Sequence, residues 1–180
     1  MVSASCITIV KEALETLEIQ VIVKLGEATT NDNVTATQLD QIRLTLLQSG
    51  FELLEDKKNI LVEQAKTSII HLVYHSDEPL VQNLSVYLSH KLGYDYTYIS
   101  NLFSEKAGTT IEKFFICHKI ERVKELLTYA ELSLTEIAFK MHYSSVAHLS
   151  NQFKKITGLT PSQFKKGEGN KRDPLEDVCP

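Results

Sequence analysis

The stretch SSVAHLSNQFKKITGLTPSQFKK, residues 144–166, decides the fold. Leu149 and Phe153 stand four apart, while Ala147, Ser150, Asn151 and Lys154 fall on the opposite side. That spacing predicts one amphipathic helix with a small, polar outer face running into Lys154 and Lys155. Gly158 is its stop, because a glycine just past the last periodic residue takes the left-handed cap. A new helix then starts, with Thr160 as cap, Pro161 at the first helical position and Gln163 completing a capping box.

Fifty residues earlier the chain reads YISNLFSEKAGTTIEKF, residues 98–114. Set against the first stretch without gaps, it pairs Ile99 with Leu149, Ser100 with Ser150, Asn101 with Asn151 and Phe103 with Phe153. The same frame pairs Gly108 with Gly158, Thr110 with Thr160 and Phe114 with Phe164. Start, stop and core positions of one unit are therefore used twice. A short helix precedes each copy, VYLSHKL and EIAFKM, followed by a short turn. In the second copy Ser133 and Glu136 have capping-box spacing, and the turn has one more residue. Short helix, tight turn, helix is a helix-turn-helix pattern, and it occurs twice.

Between the copies, TIEKFFICHKIERVKELLTY reads as one long joining helix. Phe103, Phe114, Phe115, Ile120, Val123, Leu126 and Leu127 are expected in the core, and Cys117 is expected to be buried on that helix. Upstream, KKNILVEQAKTSIIHLVYHSDEP reads as a helix ending before Pro79, able to connect two halves or to pair two chains. Residues 4–18 carry Ile7, Val10, Leu14 and Leu17 at helical spacing, and IQVIVKLGEA reads as a strand. Thr37 with Asp40 can cap a helix that stops at Gly50, and FELLED is a short strand candidate. Helix–strand–helix–strand is a small α+β layer.

The chain has a formal charge of −4, unevenly distributed. Residues 1–80 hold 6 Lys and Arg against 12 Asp and Glu, whereas residues 140–172 hold 7 against Glu168 alone. A basic surface at the C-terminal end fits an anionic partner, although an ordinary solvated face has the same composition. No apolar run reaches membrane-spanning length and no signal peptide is evident, so no membrane partner is expected. Three scattered cysteines, Cys6, Cys117 and Cys179, favour a reducing compartment, by default the cytoplasm.

The stretch from about Leu84 to Lys166 resembles the DNA-binding domain of the AraC/XylS family of bacterial transcription regulators. Its later half, EIAFKMHYSSVAHLSNQFKKITGLTPSQFKK, fits that family's signature through Glu136, Ile137, Ala138, Phe153, Lys154, Gly158, Thr160, Pro161 and Phe164. Three positions depart. His142-Tyr143 stands where a Gly-Phe is usual, Asn151 where an Arg is usual, and Asn101 where an Arg is common. The resemblance implies double-stranded DNA as partner, with two reading helices separated by the helix around 111–128. It places Val146, Ala147, His148, Ser150 and Asn151 of the second reading helix, and Tyr96, Thr97, Ser100 and Asn101 of the first, toward DNA. Asn pairs bidentately with adenine, and Ala and Val touch a thymine methyl, so that face suggests A·T-containing contacts. Lys154, Lys155, Lys165 and Lys166 would meet phosphates, which position without specifying. Ser150 and Asn151 also fit an ordinary solvent-facing helix, and Tyr96 and Tyr98 also fit packing roles.

The start, MVSASCITIVKEALETL, resembles a heavy-metal-associated domain, whose loop motif is M-x-C-x-x-C. Ser3 replaces the first cysteine, and a hydroxyl is a poor soft-metal ligand, so a degenerate site without metal is expected. The resembled ferredoxin-like fold would lack its first strand here, as a truncated start would give. His71 and His75 lie four apart, a zinc spacing, but have no evident third ligand. His142 and His148 flank the second reading helix, where phosphate contact suits them better than metal.

The chain is therefore expected to be mainly α. Residues 1–56 form a degenerate α+β module and 57–79 a connecting helix. Residues 80–167 form the all-α double helix-turn-helix domain, and 168–180 a flexible tail. The function expected is sequence-specific transcription regulation, with no cofactor, an unknown effector and a possible homodimer. The other readings are a helical protein-interaction adaptor, and a metal-responsive regulator that would need Cys6. No catalytic motif is present: no G-x-S-x-G elbow, Walker loop, dinucleotide glycine fingerprint or H-E-x-x-H.

Overall fold

Thr35 opens the best-defined helix of the N-terminal part of the computed structural model. Its hydroxyl accepts from the Gln38 N–H while the Gln38 side chain accepts from the Thr35 N–H at 3.0 Å, a complete capping box. The expected cap, Thr37 with Asp40, lies two residues further on. A box needs the longer Glu or Gln side chain to reach back to the cap, and Asp40 instead pairs with Arg43 at 3.2 Å.

The structure describes residues 4–168 except 18, 32, 55, 77–81 and 130. The tail beyond 168, with Cys179, and the Ser3 position lie outside the described residues, as does the chain near Pro79. Two compact units are present, Met1–Thr67 and Ser68–Pro180.

In the first unit, α1 (Ala4–Glu15) is followed by β1 (Ile22–Lys24), β2 (Glu27–Thr29) and α2 (Ala36–Gln48). The two strands pair antiparallel, Ile22 opposite Thr29 and Lys24 opposite Glu27, so the single expected strand is a hairpin. Gly26, at φ 76°, makes the tight turn that divides it. Residues 51–54 form no strand. Phe51 instead packs toward Val10, Leu14 and Leu46, the core of this unit. The order is thus helix–hairpin–helix rather than helix–strand–helix–strand, with two strands among the described residues.

The 18-residue α3 (Lys57–Tyr74) follows, and the division between units falls within it. The second unit holds α4 (Leu84–Leu92), α5 (Tyr96–Ala107), α6 (Ile111–Tyr129), α7 (Leu134–Lys140), α8 (Val146–Thr157) and α9 (Pro161–Gln163). A π turn, Phe164–Glu168, closes it. The expected core residues of α5 and α6 are buried, with Phe115 half-buried. Leu149 and Phe153 are fully buried with Ile137 and with Ile120, Val123 and Leu127 of α6. Phe103 of α5 meets Phe114 of α6 edge-to-face at 5.4 Å between ring centroids. Cys117 is buried, as its place on α6 predicts, and Cys6 is half-buried. No helix among the described residues is long and apolar enough to cross a membrane.

Candidate nucleic-acid interface

The fifty-residue frame holds in three dimensions. α5 and α8 are each 12 residues long, capped by Asp95 and Ser145 and stopped by Gly108 (φ 67°) and Gly158 (φ 78°). In each, the glycine N–H donates to a carbonyl one turn back, from Gly108 to Ser104 at 3.2 Å and from Gly158 to Lys154 at 2.9 Å. After α8 the expected restart is complete: Thr160 accepts from the Gln163 N–H, Gln163 reaches back, and Pro161 is first in the helix. The Ser133–Glu136 box before α7 is equally complete, and its hydrogen bonds hold the Glu136 carboxyl below its usual range.

The turns before the two helices differ. α4 ends directly at Gly93, left-handed at φ 75°. After α7 the left-handed residue comes one position earlier in the frame, with Met141 as cap and His142 at φ 53°. The His142 N–H donates to the Phe139 carbonyl at 3.0 Å and the Tyr143 N–H to the Ala138 carbonyl at 2.9 Å. That pair of bonds is a Schellman cap, which asks for φ above zero at the position His142 fills. A histidine therefore stands in a conformation that glycine usually fills.

On α8, Ala147, His148, Asn151, Lys154 and Lys155 are exposed and Ser150 is half-buried. Val146, expected toward DNA, is half-buried against the core. Lys165 and Lys166 are exposed in the closing π turn. On α5, Thr97 and Asn101 are exposed and Ser100 is half-buried, its hydroxyl donating to the Thr97 carbonyl at 3.1 Å. Tyr96 is half-buried and its hydroxyl donates to Glu112, which with burial holds the phenol in its protonated form. Tyr98 is exposed and stacks on Tyr94, ring centroids 5.7 Å apart.

Behind α8 lies a support that the sequence pattern does not announce. The buried Tyr143 donates its hydroxyl to Gln152 Oε1 at 2.6 Å, and the Lys119 ammonium sits 4.0 Å from its ring centroid. Burial pushes the Lys119 ammonium down to about 8. His148 presents its ring edge-on to Tyr143 at 5.2 Å, and its Nδ1 lies 3.0 Å from the Ser144 hydroxyl. Burial and the Lys119 charge hold His142 below the usual imidazole range. One signal for this arrangement was present: the frame sets Gln152 opposite Leu102, a polar residue at a buried position of the other copy.

His71 and His75 face each other at 5.6 Å between ring centroids. Among the described residues, no group of three or more His, Cys, Asp or Glu could hold a metal ion.

Residues 88–167 match a helix-turn-helix domain family. An uncharacterized HTH-type transcriptional regulator of Staphylococcus aureus (strain MSSA476) is 29% identical over 165 residues, covering 78% of this chain and 22% of its own length. YtdP of Bacillus subtilis (strain 168), named in the same way, is 24% identical over 99 residues, covering 55% of this chain and 13% of its own. This chain thus spans about a fifth or less of the length of these relatives. Among solved structures, the C-terminal domain of AraT, a response regulator from Geobacillus stearothermophilus, shares the fold. Its TM-score is 0.54 at 22% identity, covering 66% of this chain and 94% of that one. Over residues 88–167 the chain is thus similar to a helix-turn-helix domain, and its fold there agrees.

Proposed function

We propose that this chain is the DNA-binding part of a transcription regulator, with α5 and α8 entering successive major-groove segments about one helical turn apart. The observation that carries the reading is the recurrence of one capped, 12-residue helix with an exposed asparagine at the same place, Asn101 and Asn151. An asparagine projecting from such a helix reads adenine through its N6 and N7 edge. Thr97, Ser100, Ala147 and Ser150 complete two small, polar faces that approach base edges closely, and the exposed lysines after α8 meet phosphates. The relatives' names, HTH-type transcriptional regulators, agree with this role.

The test is selection from randomised duplexes at low and moderate salt, followed by sequencing of the bound fraction. Two enriched elements about one turn apart are expected. Binding that falls with salt but enriches nothing would reduce the protein to a nonspecific binder. No binding by folded protein would refute the reading.

A further inference from the structure

The fifty-residue frame compares the two helix pairs position by position, and the backbone agrees while the charge does not. Lys154 and Lys155 stand on the outer face of α8, five and six residues after Leu149. Their counterparts on α5 are Ser104 and Glu105, both exposed. Lys165 and Lys166 correspond to Phe115 and Ile116, which are half-buried against the core. Every lysine expected to meet phosphate in the second pair therefore has an uncharged or acidic counterpart in the first.

Over the matched spans, residues 84–116 hold 3 Lys against 3 Asp and Glu, a balance of zero. Residues 134–166 hold 5 Lys against 1 Glu, a balance of +4. The lysine that α5 does carry, Lys106, is exposed in its last turn. It comes seven residues after Ile99, in line with the side of the helix that Ile99 and Phe103 turn inward. Asp95 also sits at the mouth of α5, its carboxylate held by the Thr97 N–H at 2.8 Å, where α8 has the neutral Ser145.

We infer that the two helix pairs divide the work of binding DNA. The α7–α8 pair anchors the phosphate backbone, and the α4–α5 pair, whose exposed Lys91 and Lys106 are offset by Asp95 and Glu105, reads its segment with no net positive charge. This rests on the DNA-binding reading above. Each phosphate that a lysine neutralises releases counterions and adds about 0.9 to the steepness of the salt dependence. The salt dependence of binding then belongs almost wholly to the segment under α8. The segment under α5 is held through chelation: α8 and α6 deliver α5 to it.

The test measures affinity against salt for the full chain on a mixed-sequence duplex of about three helical turns. Three proteins are compared: the parent chain, Lys154→Gln/Lys155→Gln, and Glu105→Lys. The double substitution should make the slope shallower by about 1.8 and weaken binding roughly tenfold per lysine near 0.1 M salt. Glu105→Lys places a cation where Lys155 stands in the other copy, and should steepen the slope by about 0.9 and tighten binding. An unchanged slope in either variant overturns the division of labour while leaving the regulator reading intact. Absence of salt-dependent binding by the parent chain sinks the regulator reading itself. All substituted side chains are exposed, and circular dichroism checks that the variants fold.

Discussion

His142 lies at the left-handed position of a Schellman cap that glycine usually fills, so His142→Gly should stabilise the protein. A non-glycine residue held in that conformation costs roughly 1–2 kcal/mol, because its Cβ crowds the following carbonyl. Glycine returns part of this, about 0.5–1 kcal/mol, through the freedom it gains in the unfolded chain. The net expectation is a gain of roughly 0.5–1 kcal/mol. The first helix pair supplies the mirror experiment. Gly93 has φ 75° and nothing within 4 Å of a Cβ built on it, so Gly93→Ala meets the backbone penalty without a steric clash. It should destabilise by about the same amount. Urea unfolding followed by circular dichroism reads both variants. The midpoint should rise by a few tenths of a molar for His142→Gly and fall correspondingly for Gly93→Ala, with m unchanged. A lower midpoint for His142→Gly would show that the histidine holds the turn through its side chain, and would refute the strain argument.

Three further outcomes follow from the same geometry. His118 is 1% exposed, its Nδ1 has no hydrogen-bond partner among the described residues, and burial pushes it down to about 4. The unfolded chain binds a proton near pH 6.5 that the folded state refuses, so stability is full above that pH and declines as pH falls toward 4. The decline should approach 1.4 kcal/mol per unit, to at most about 3 kcal/mol. Urea titrations between about pH 4.5 and pH 7 should show that slope in the parent chain and a flatter one in His118→Leu. Tyr143→Phe removes the hydroxyl bonded to Gln152 at 2.6 Å; thermal unfolding should report a destabilisation of about 1 kcal/mol. Asn151→Ala should weaken binding to a selected duplex by about 1–3 kcal/mol with the salt slope unchanged, because a base contact displaces no counterions; a change in slope instead would place Asn151 at phosphate.

The second unit was legible in the sequence because its signals are local and duplicated. A glycine at Gly108 and Gly158, hydroxyl caps at Ser133 and Thr160, and apolar pairs four apart each constrain one turn of backbone, and the repeat checks most of them a second time. The first unit has no second copy to correct the reading. There, a β-branched run looked like one strand because period-2 alternation survives a two-residue turn, and only Gly26 marked the break. Thr35 and Thr37 are both capping residues by type. What selects Thr35 is the length of the side chain three residues on, Gln38 rather than Asp40. Of the candidate interface, most of the exposed face was legible, Val146 excepted, while of its supports only Gln152 left a mark in the sequence. The approach of Lys119 to Tyr143 joins a helix to a turn 24 residues away, a separation that no local period encodes.

The spacing between the exposed faces of α5 and α8 has the same origin. The 19-residue α6 is about 28 Å long, on the scale of one DNA turn. Phe114 in its first turn holds Phe103 of α5, while Ile120, Val123 and Leu127 share a core with Leu149 and Phe153 of α8. α6 thus fixes where each face stands, although nothing in its own composition marks it as more than a long helix. Glu121 and Lys124, buried and paired at 2.8 Å, keep both charges satisfied within one turn of α6. The helix can therefore be buried on several sides without leaving either charge unpaired. Its two ends meet unequal partners: a neutral face beside α5, and a cationic one beside α8. Under the proposed division of labour, the packing of both faces on α6 lets the strongly held end set the position of the weakly held one.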